Sequence, residues 1–268
     1  GVNAGNSIAS GGNYNVVVGD NAGTAITTGD DNVAIGNDAL QAEDAHGKNV
    51  AIGRSALGTQ NAGADGYNVA IGYYAGVNIT TGIENTLIGA SAGDAMTTGY
   101  SNTVIGYGAD ASAVDATNSN TIGKAVVGNA SGYTTVGHDA TKSWIQHGGT
   151  SWLGSSDSRL KENITTSTVG LAFVNDLRPV TYEWRAKGSI PDTFIGYVAD
   201  STEKFNDSDK VHHGFVAQEI KAVIDSHAGV GNGHGLWEAN ETDGLQAIAQ
   251  GALIPMLTKA IQELSAQV

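Results

Sequence analysis

The pentapeptide Asn32-Val33-Ala34-Ile35-Gly36 belongs to a motif that recurs along the first half of the chain. Identical or closely related copies end at Gly19, Gly36, Gly53, Gly72, Gly89 and Gly106, and a shortened copy, Asn-Thr-Ile-Gly, ends at Gly123. The successive steps between these glycines are 17, 17, 19, 17, 17 and 17 residues. A fixed period this short predicts a solenoid, in which each repeat is one structural unit that stacks on its neighbours.

Each repeat is too short for two packed helices and carries a strand pattern instead. Apolar residues alternate over four or five positions, which indicates a half-buried strand such as 33–35. A small residue stands three positions after each glycine: Ala22, Ala39, Ala56, Ala75, Ala92, Ala109 and Val126. Thr-Thr-Gly turns end at Gly29, Gly82 and Gly99. We therefore predict a parallel β-roll whose coils each hold one strand, a glycine corner, a second short stretch and a polar loop around a thin aliphatic core.

Composition changes near the middle of the chain. Of the 38 glycines in 268 residues, 28 precede Ser156, whereas all three prolines and all four phenylalanines follow it. Glycine suits corners because it accepts a positive φ, and proline would remove a hydrogen-bond donor from the strand ladder. We predict a roll over residues 1–130, a neck or linker over 131–155, and a separate domain over 156–268.

Charge and residue content exclude several classes of function. With 13 basic and 27 acidic side chains the formal net charge is −14, which argues against nucleic acid or an anionic membrane as partner. The chain has no cysteine and no apolar run long enough for membrane insertion. The repeats lack the calcium-binding nonapeptide pattern, and their asparagines are expected to be turn or ladder residues. The four histidines His212, His213, His227 and His234 fit no standard zinc spacing, so we expect no metal and no cofactor.

The repeats resemble the head repeats of trimeric autotransporter adhesins, whose coils read Asn-x-x-Ile-Gly-x-x-Ala. The resemblance spans about residues 13–128, and related repeats also occur in phage tail fibres. It implies a left-handed parallel β-roll, a homotrimer and an extended, surface-exposed shaft or head. A thin roll buries little core by itself, so lateral association of three chains would cover its flat faces.

The candidate site is the segment Ser156-Asp157-Ser158-Arg159-Leu160-Lys161 at the boundary. A lysine amine can take the proton of a serine hydroxyl when desolvation or a nearby cation favours the neutral amine. Arg159 could supply that cation. Read from these residues alone, the segment is either a Ser156–Lys161 nucleophile–base pair or an ordinary polar turn.

The second half as a whole resembles the endosialidase-type intramolecular chaperone, the self-cleaving C-terminal domain of phage tailspikes and tail fibres. That family reads Ser-Asp-x-Arg-Leu-Lys, then Leu-x-Pro-x-x-Tyr-x-Trp, then His-Gly-Phe-x-Ala-Gln-Glu, and ends in a helix. The matching positions are Ser156, Asp157, Arg159, Leu160 and Lys161, then Leu177, Pro179, Tyr182 and Trp184, then His213, Gly214, Phe215, Ala217, Gln218 and Glu219, and finally 253–264. The resemblance covers essentially all of 156–268.

This resemblance implies an α+β chaperone domain with a C-terminal helix that trimerises, templates the folding of the fibre ahead of it and then releases itself. Ser156 would be the nucleophile and Lys161 the general base of a single-turnover serine autoproteolysis, supported by Asp157 and Arg159. The protein would be part of a virion tail fibre, and its chaperone domain would be released in the host cytoplasm. The expected partners are two further copies of the chain and, through the parent fibre, a bacterial surface receptor or glycan.

The position of the cut bears on which chain supplies the nucleophile. The family's cut is drawn directly after the serine, which here is the Ser156–Asp157 bond. Attack by Ser156 on its own carbonyl would need a strained four-membered ring, whereas attack on the Ser155 carbonyl forms a five-membered ring and cuts Ser155–Ser156. A cut after Ser156 therefore favours a nucleophile from a neighbouring chain, or a water activated at the pair.

Two apolar patterns predict helices in the second half. Residues 211–226 carry apolar side chains near helical spacing. Leu253, Leu257, Ala260 and Leu264 step by 4, 3 and 4 residues, a heptad-like seam that either joins three helices or packs on its own domain. The glycine-rich stretch 229–235 indicates a loop.

Two other functions compete with a phage fibre. A bacterial trimeric adhesin head that binds host surface ligands would end in membrane-spanning strands, whereas this chain ends in a helical segment, which favours the fibre. A glycan-degrading spike would need a carboxylate pair in the roll, and the scattered acidic residues offer no clear candidate.

Overall fold

The computed structural model describes residues 1–206, 210–227, 229–230, 235–240 and 242–267. They form two compact units, Gly1–Lys161 and Glu162–Val268. The first unit is a parallel β-solenoid and the second is a small α+β unit that ends in a helix, so the predicted fold class is confirmed. The homotrimer and the segment boundaries of the sequence analysis stay predictions.

One ten-stranded sheet runs through the first unit in chain order. Its first eight strands, β1 to β8, form seven successive parallel pairs in unbroken register. These strands are β1 (Val16–Val18), β2 (Val33–Ile35), β3 (Val50–Ile52), β4 (Val69–Ile71), β5 (Thr86–Ile88), β6 (Thr103–Ile105), β7 (Asn120–Ile122) and β8 (Tyr133–His138). Strands β9 (Thr141–Gln146) and β10 (Leu153–Gly154) then add in antiparallel fashion. The region 131–155, where the repeated letters fade, thus continues the sheet and changes only the strand direction.

The strands are held by a core of small and aliphatic side chains. Successive strand residues face opposite sides of a sheet, so the middle residue of each three-residue strand points into the roll. The fully buried middle residues are Ala34, Ala51, Ala70, Leu87, Val104 and Thr121. The small residues after the glycine corners are buried as well, and Ile26, Leu40, Leu57, Ile79 and Met96 fill the space between coils.

The asparagine that opens each repeat forms a hydrogen-bonded ladder through the roll. The Asn49 backbone N–H donates to Asn32 Oδ1 at 3.1 Å, and the Asn68 N–H donates to Asn49 Oδ1 at 3.2 Å. The same bond links Asn68 to Asn85 and Asn85 to Asn102. These side chains are buried, so the expected ladder role is confirmed.

The corner glycines adopt a backbone conformation that other residues rarely accept. Gly89 has φ of +132°, and the equivalent glycines lie between +131° and +146°. A Cβ atom placed on Gly89 would lie 2.5 Å from the Gly106 carbonyl oxygen of the next coil. The corners therefore need glycine both for φ and for the close approach of neighbouring coils.

The described residues of the second unit form three helices and two small sheets. Its helices are α1 (Leu171–Asp176), α2 (Ala217–Ser226) and α3 (Leu253–Ser265). Strand β11 (Val180–Tyr182) pairs antiparallel with β12 (His212–Gly214), and β13 (Trp237–Ala239) pairs antiparallel with β14 (Gln246–Ile248). The core includes Val169, Phe173, Leu177, Ile220, Ile224, Leu236, Leu253 and Met256.

The sequence misplaced the start of the second helix. The predicted helix over 211–226 is wrong at its beginning, because His212–Gly214 forms strand β12 and α2 begins at Ala217. The ladder with β11 fixes the backbone of the first residues in an extended form. The predicted loop over 229–235 lies partly outside the described residues, as does His234. In the described part of the chain, no helix has the length and apolar character needed to cross a membrane.

Candidate active site

The segment that holds the candidate pair directly follows the last strand of the roll. Strand β10 pairs with β9 through Leu153 and Gly154, and the chain then enters a short 3₁₀ helix over Ser158–Leu160. The Lys161 backbone N–H donates to the Ser158 carbonyl at 3.1 Å and closes this turn. The turn brings the two ends of the motif together, so that Lys161 Nζ donates to Ser156 Oγ at 2.8 Å.

Asp157 and Arg159 stabilise this turn. The Asp157 carboxylate caps the 3₁₀ helix by accepting the Arg159 backbone N–H at 2.9 Å. It also accepts the Arg159 guanidinium in a two-point contact, from Nε at 3.0 Å and from Nη2 at 2.7 Å. The Arg159 hydrogen bonds lower the pKa of the Asp157 carboxyl below its usual range, so Asp157 is an anion under ordinary conditions. Both residues thus hold the loop in which Ser156 and Lys161 meet.

The pair is exposed in the single chain. Every residue from Ser156 to Lys161 is accessible to solvent. A lysine can accept a proton only in its neutral form, and burial of the amine is a principal way in which proteins favour that form. In this structure Lys161 is the hydrogen-bond donor. The single chain therefore brings Lys161 Nζ into contact with Ser156 Oγ, but it does not bury the two side chains.

Two other motif segments of the sequence come together in the second unit. Strand β11 carries Tyr182 opposite His212 of β12, and their rings stack at 5.5 Å between centroids. Arg178, next to the motif proline, donates to the carboxylate of Glu219, the last residue of the His-Gly-Phe motif. Leu177 is buried in the core. The motif residues thus maintain the packing of β11, β12 and α2.

Residues 156–229 match the family model for the chaperone of endosialidase. Over this range the chain is similar to that family. The matched range begins at the candidate nucleophile and extends through the turn, β11, β12 and α2 of the chaperone domain. No curated protein and no solved structure matches the chain.

The matched family is an intramolecular chaperone domain known for self-cleavage. The match implies a protein of the phage tail fibre or tailspike type, which is a component of the virion. The β-solenoid that precedes it is consistent with the predicted fibre region. The match covers 156–229, so the resemblance predicted for the terminal helix beyond this range stays a prediction.

Sequence reasoning missed two features of the chaperone domain. One is the Arg178–Glu219 ion pair, because the motif as predicted did not include Arg178. The other is the exposed face of α3, which consists of Ile254, Leu257, Ile261 and Leu264. Their steps of 3, 4 and 3 residues were a signal that could have shown this face.

Proposed function

We propose that Ser156 and Lys161 carry out a single self-cleavage that frees the chaperone domain from the roll once a homotrimer has formed. The observation that carries this proposal is the 2.8 Å contact between Lys161 Nζ and Ser156 Oγ at the start of the matched range. The chaperone domain first templates the fibre, and its loss then leaves the trimeric fibre kinetically trapped.

The chemistry follows from the two side chains. Neutral Lys161 takes the proton of the Ser156 hydroxyl while Oγ attacks the Ser156 carbonyl carbon of a neighbouring chain. The bond to the Asp157 nitrogen breaks, and Lys161 returns the proton to the leaving amine. Water then hydrolyses the ester that joins the two chains, which restores the Ser156 hydroxyl. The attack on this carbonyl comes from a neighbouring chain, because attack by Ser156 on its own carbonyl would need the four-membered ring.

Assembly is part of the same proposal, because the Ser156–Lys161 pair is exposed in the single chain and must be buried to favour a neutral lysine. The outer face of α3 exposes Ile254 by 64 %, Ile261 by 67 % and Leu264 by 53 %. A helix face with this spacing is typical of a coiled-coil seam. We propose that it packs against copies of itself in the homotrimer. Of the four residues in the predicted seam, Leu253 and Ala260 pack within their own unit, whereas Leu257 and Leu264 are exposed.

The outer side of the roll offers a second apolar face to the same trimer. The last residue of each strand lies directly above its equivalent in the next coil. Ile71, Ile88 and Ile122 are each more than a third exposed on this line, and Val18 is more than half exposed. A continuous aliphatic line on a protein surface is typical of a surface that another protein covers.

The test is to express the wild type, Ser156→Ala and Lys161→Met, with Ser155→Ala and Ser158→Ala as matched serine controls. We expect the wild type and both controls to yield fragments 1–156 and 157–268 on denaturing gels, with masses that locate the bond. Ser156→Ala and Lys161→Met should stay intact, and wild type and Ser156→Ala should have the mass of a trimer in solution. An uncut wild type, or a monomeric Ser156→Ala chain, would contradict the proposal.

Receptor binding is the remaining part of the proposed function. Tyr67, Tyr73, Tyr100 and Tyr107 of the roll are about half exposed or more, and aromatic rings with one polar end suit sugar stacking or protein contacts. We propose that the parent fibre binds a bacterial surface receptor or glycan. Loss of fibre binding to host cells on Tyr107→Ala, compared with Thr24→Ala as control, would support a role for the roll itself.

A further inference from the structure

A carboxylate occupies a core position of the roll that other coils fill with an apolar side chain. Glu43 stands six residues before the ladder asparagine of its repeat. Ile26, Ile79 and Met96 stand at the same place in their repeats, and all four side chains are fully buried. Burying a carboxylate in place of an aliphatic group is unfavourable unless a partner compensates the charge.

The polar atoms around Glu43 are not fully paired. Glu43 Oε2 and His46 Nδ1 are both buried atoms without a hydrogen-bond partner. They belong to neighbouring groups, because His46 Nδ1 lies 3.6 Å from Glu43 Oε1. Asp44 adds a second carboxylate, and one ligand atom from each of the three residues lies within 4.8 Å of the others. Two buried polar atoms of one cluster that both lack a hydrogen-bond partner indicate that a partner is missing from the cluster.

The backbone around the three residues is firmly held. Thr27 of the preceding coil donates to the Asp44 carbonyl through its backbone N–H at 2.6 Å and its hydroxyl at 3.0 Å. Asn32 Nδ2 donates to the His46 carbonyl at 3.2 Å. The His46 N–H donates to Glu43 Oε1 at 3.3 Å, which fixes one oxygen and leaves Oε2 free. The three side chains therefore project from a fixed loop.

We propose that Glu43, Asp44 and His46 bind one divalent transition-metal cation of the Zn²⁺ type. Imidazole nitrogen combined with carboxylate oxygen suits Zn²⁺ better than Ca²⁺, whose ligands are oxygens. A cation would contact Glu43 Oε2 and His46 Nδ1, satisfy both atoms and compensate the buried charge. Water would complete the shell from the side of the half-exposed Asp44 and His46. The site is independent of the self-cleavage, and it departs from the expectation that the chain binds no metal.

The role of such a cation would be structural. Glu43 lies in the repeat before the one that is two residues longer than the rest. The next repeat again has a buried polar residue, Gln60, whose side chain is satisfied by Asn68 at 2.8 Å. The aliphatic filling of the roll is thus interrupted at two successive coils. A bound cation would link the side chains of Glu43, Asp44 and His46 at the first of these two coils. It would thereby raise the stability of the folded roll.

The test uses the full chain after removal of metal, with Zn²⁺ as probe and Ca²⁺ for comparison. Bound metal is measured by equilibrium dialysis with elemental analysis, and stability is measured by thermal unfolding with and without Zn²⁺. The variants are Glu43→Met, which copies the residue found at position 96, and His46→Gln. The matched control is His147→Gln, which removes a histidine of the same unit outside the cluster.

We expect one Zn²⁺ per chain in the wild type and in His147→Gln, at least tenfold weaker binding in His46→Gln, and loss of this ion in Glu43→Met. Zn²⁺ should raise the unfolding temperature of the wild type and not that of Glu43→Met. Without metal, Glu43→Met should unfold at a higher temperature than the wild type. A wild type that binds no Zn²⁺, that prefers Ca²⁺, or whose Zn²⁺ is unchanged in Glu43→Met and His46→Gln would overturn the proposal, and Glu43 would then be a protonated core residue.

Discussion

At the scale of the residue, two glycines of the roll distinguish the effect of backbone strain from the effect of a steric clash. Gly89 has φ of +132° and a neighbouring carbonyl where a Cβ would lie, whereas Gly63 has φ of +69° and open space. We expect Gly63→Ala to lower the free energy of unfolding by about 1 kcal/mol through backbone strain alone. Gly89→Ala should lower the free energy of unfolding by at least about 3 kcal/mol, because the clash adds to the strain. Denaturant unfolding followed by circular dichroism measures both, and equal losses would contradict the role of close approach.

A single acidic residue of the roll should give the stability an unusual pH dependence. Burial is the largest cause that raises the pKa of Asp110 to about 6, and the nearby Asp94 charge adds to it. Because the folded state holds this proton more tightly than the unfolded chain, the contribution of Asp110 to stability is most favourable below about pH 4. It is lost as the pH rises to 6 and above.

The measurement is the difference in unfolding free energy between Asp110→Asn and the wild type from pH 5 to pH 8. We expect the stability of the variant relative to the wild type to rise by about 1 kcal/mol over this range, allowing for the partial exposure of the group. Asp115→Asn, at an exposed carboxyl in the same coil, is the control and should show no such change. A pH-independent difference for Asp110→Asn would contradict the assignment.

At the scale of the element, the repeat could be read from the sequence because its cause is local. An Asn at the ladder, an apolar residue inside and a Gly at the corner each satisfy one fixed position in every coil. Strands β8 to β10 could not be read in this way, since a hairpin at the end of a sheet needs no repeated letters. The Ser156–Lys161 contact was predictable from its spacing within one turn, but the exposure of the pair depends on what packs around it.

The C-terminal helix shows a different limit of sequence patterns. Both 253/257/260/264 and 254/257/261/264 have the spacing of a helical seam, because α3 carries apolar residues around much of its circumference. The packing of α3 on α1 and on the rest of the core decides which set is covered. The Leu171 N–H donates to the Glu263 carboxylate at 2.8 Å and holds α3 in that orientation.

The exposed face of α3 therefore predicts the effect of a substitution there. Ile261→Gln should weaken self-association at least tenfold, because burial of an isoleucine contributes about 1.5–3 kcal/mol for each chain. The helix content should not change, since Ile261 is exposed in the single chain. Gln262→Ala, at a neighbouring exposed position, is the control. Sedimentation of uncut Ser156→Ala chains measures the association, and an unchanged trimer would exclude this face as the seam.

At the scale of the whole molecule, the exposed pair and the exposed seam together predict that cutting depends on assembly. If the nucleophile comes from a neighbouring chain, a chain without Ser156 still offers a bond that its neighbours can cut. We therefore expect a tagged Ser156→Ala chain to be cleaved when it is expressed together with wild type, and to stay intact when it is expressed alone. Ile261→Gln should slow the cutting of otherwise wild-type chains, because fewer of them assemble.

In the matched control for this experiment, no chain carries both Ser156 and Lys161, although each residue is present on some of the chains. Lys161 Nζ contacts Ser156 Oγ of the same chain, so an active pair needs both residues on one chain. Ser156→Ala expressed together with Lys161→Met should therefore give no fragments, although each mixed trimer contains one or two copies of each residue. If the tagged Ser156→Ala chain stays intact beside wild type while the wild-type chain is cut, the reaction acts within a chain through water, and attack across chains is wrong. If the two defective chains restore cleavage to each other, the pair instead forms between chains, and the contact within one chain is not the active arrangement.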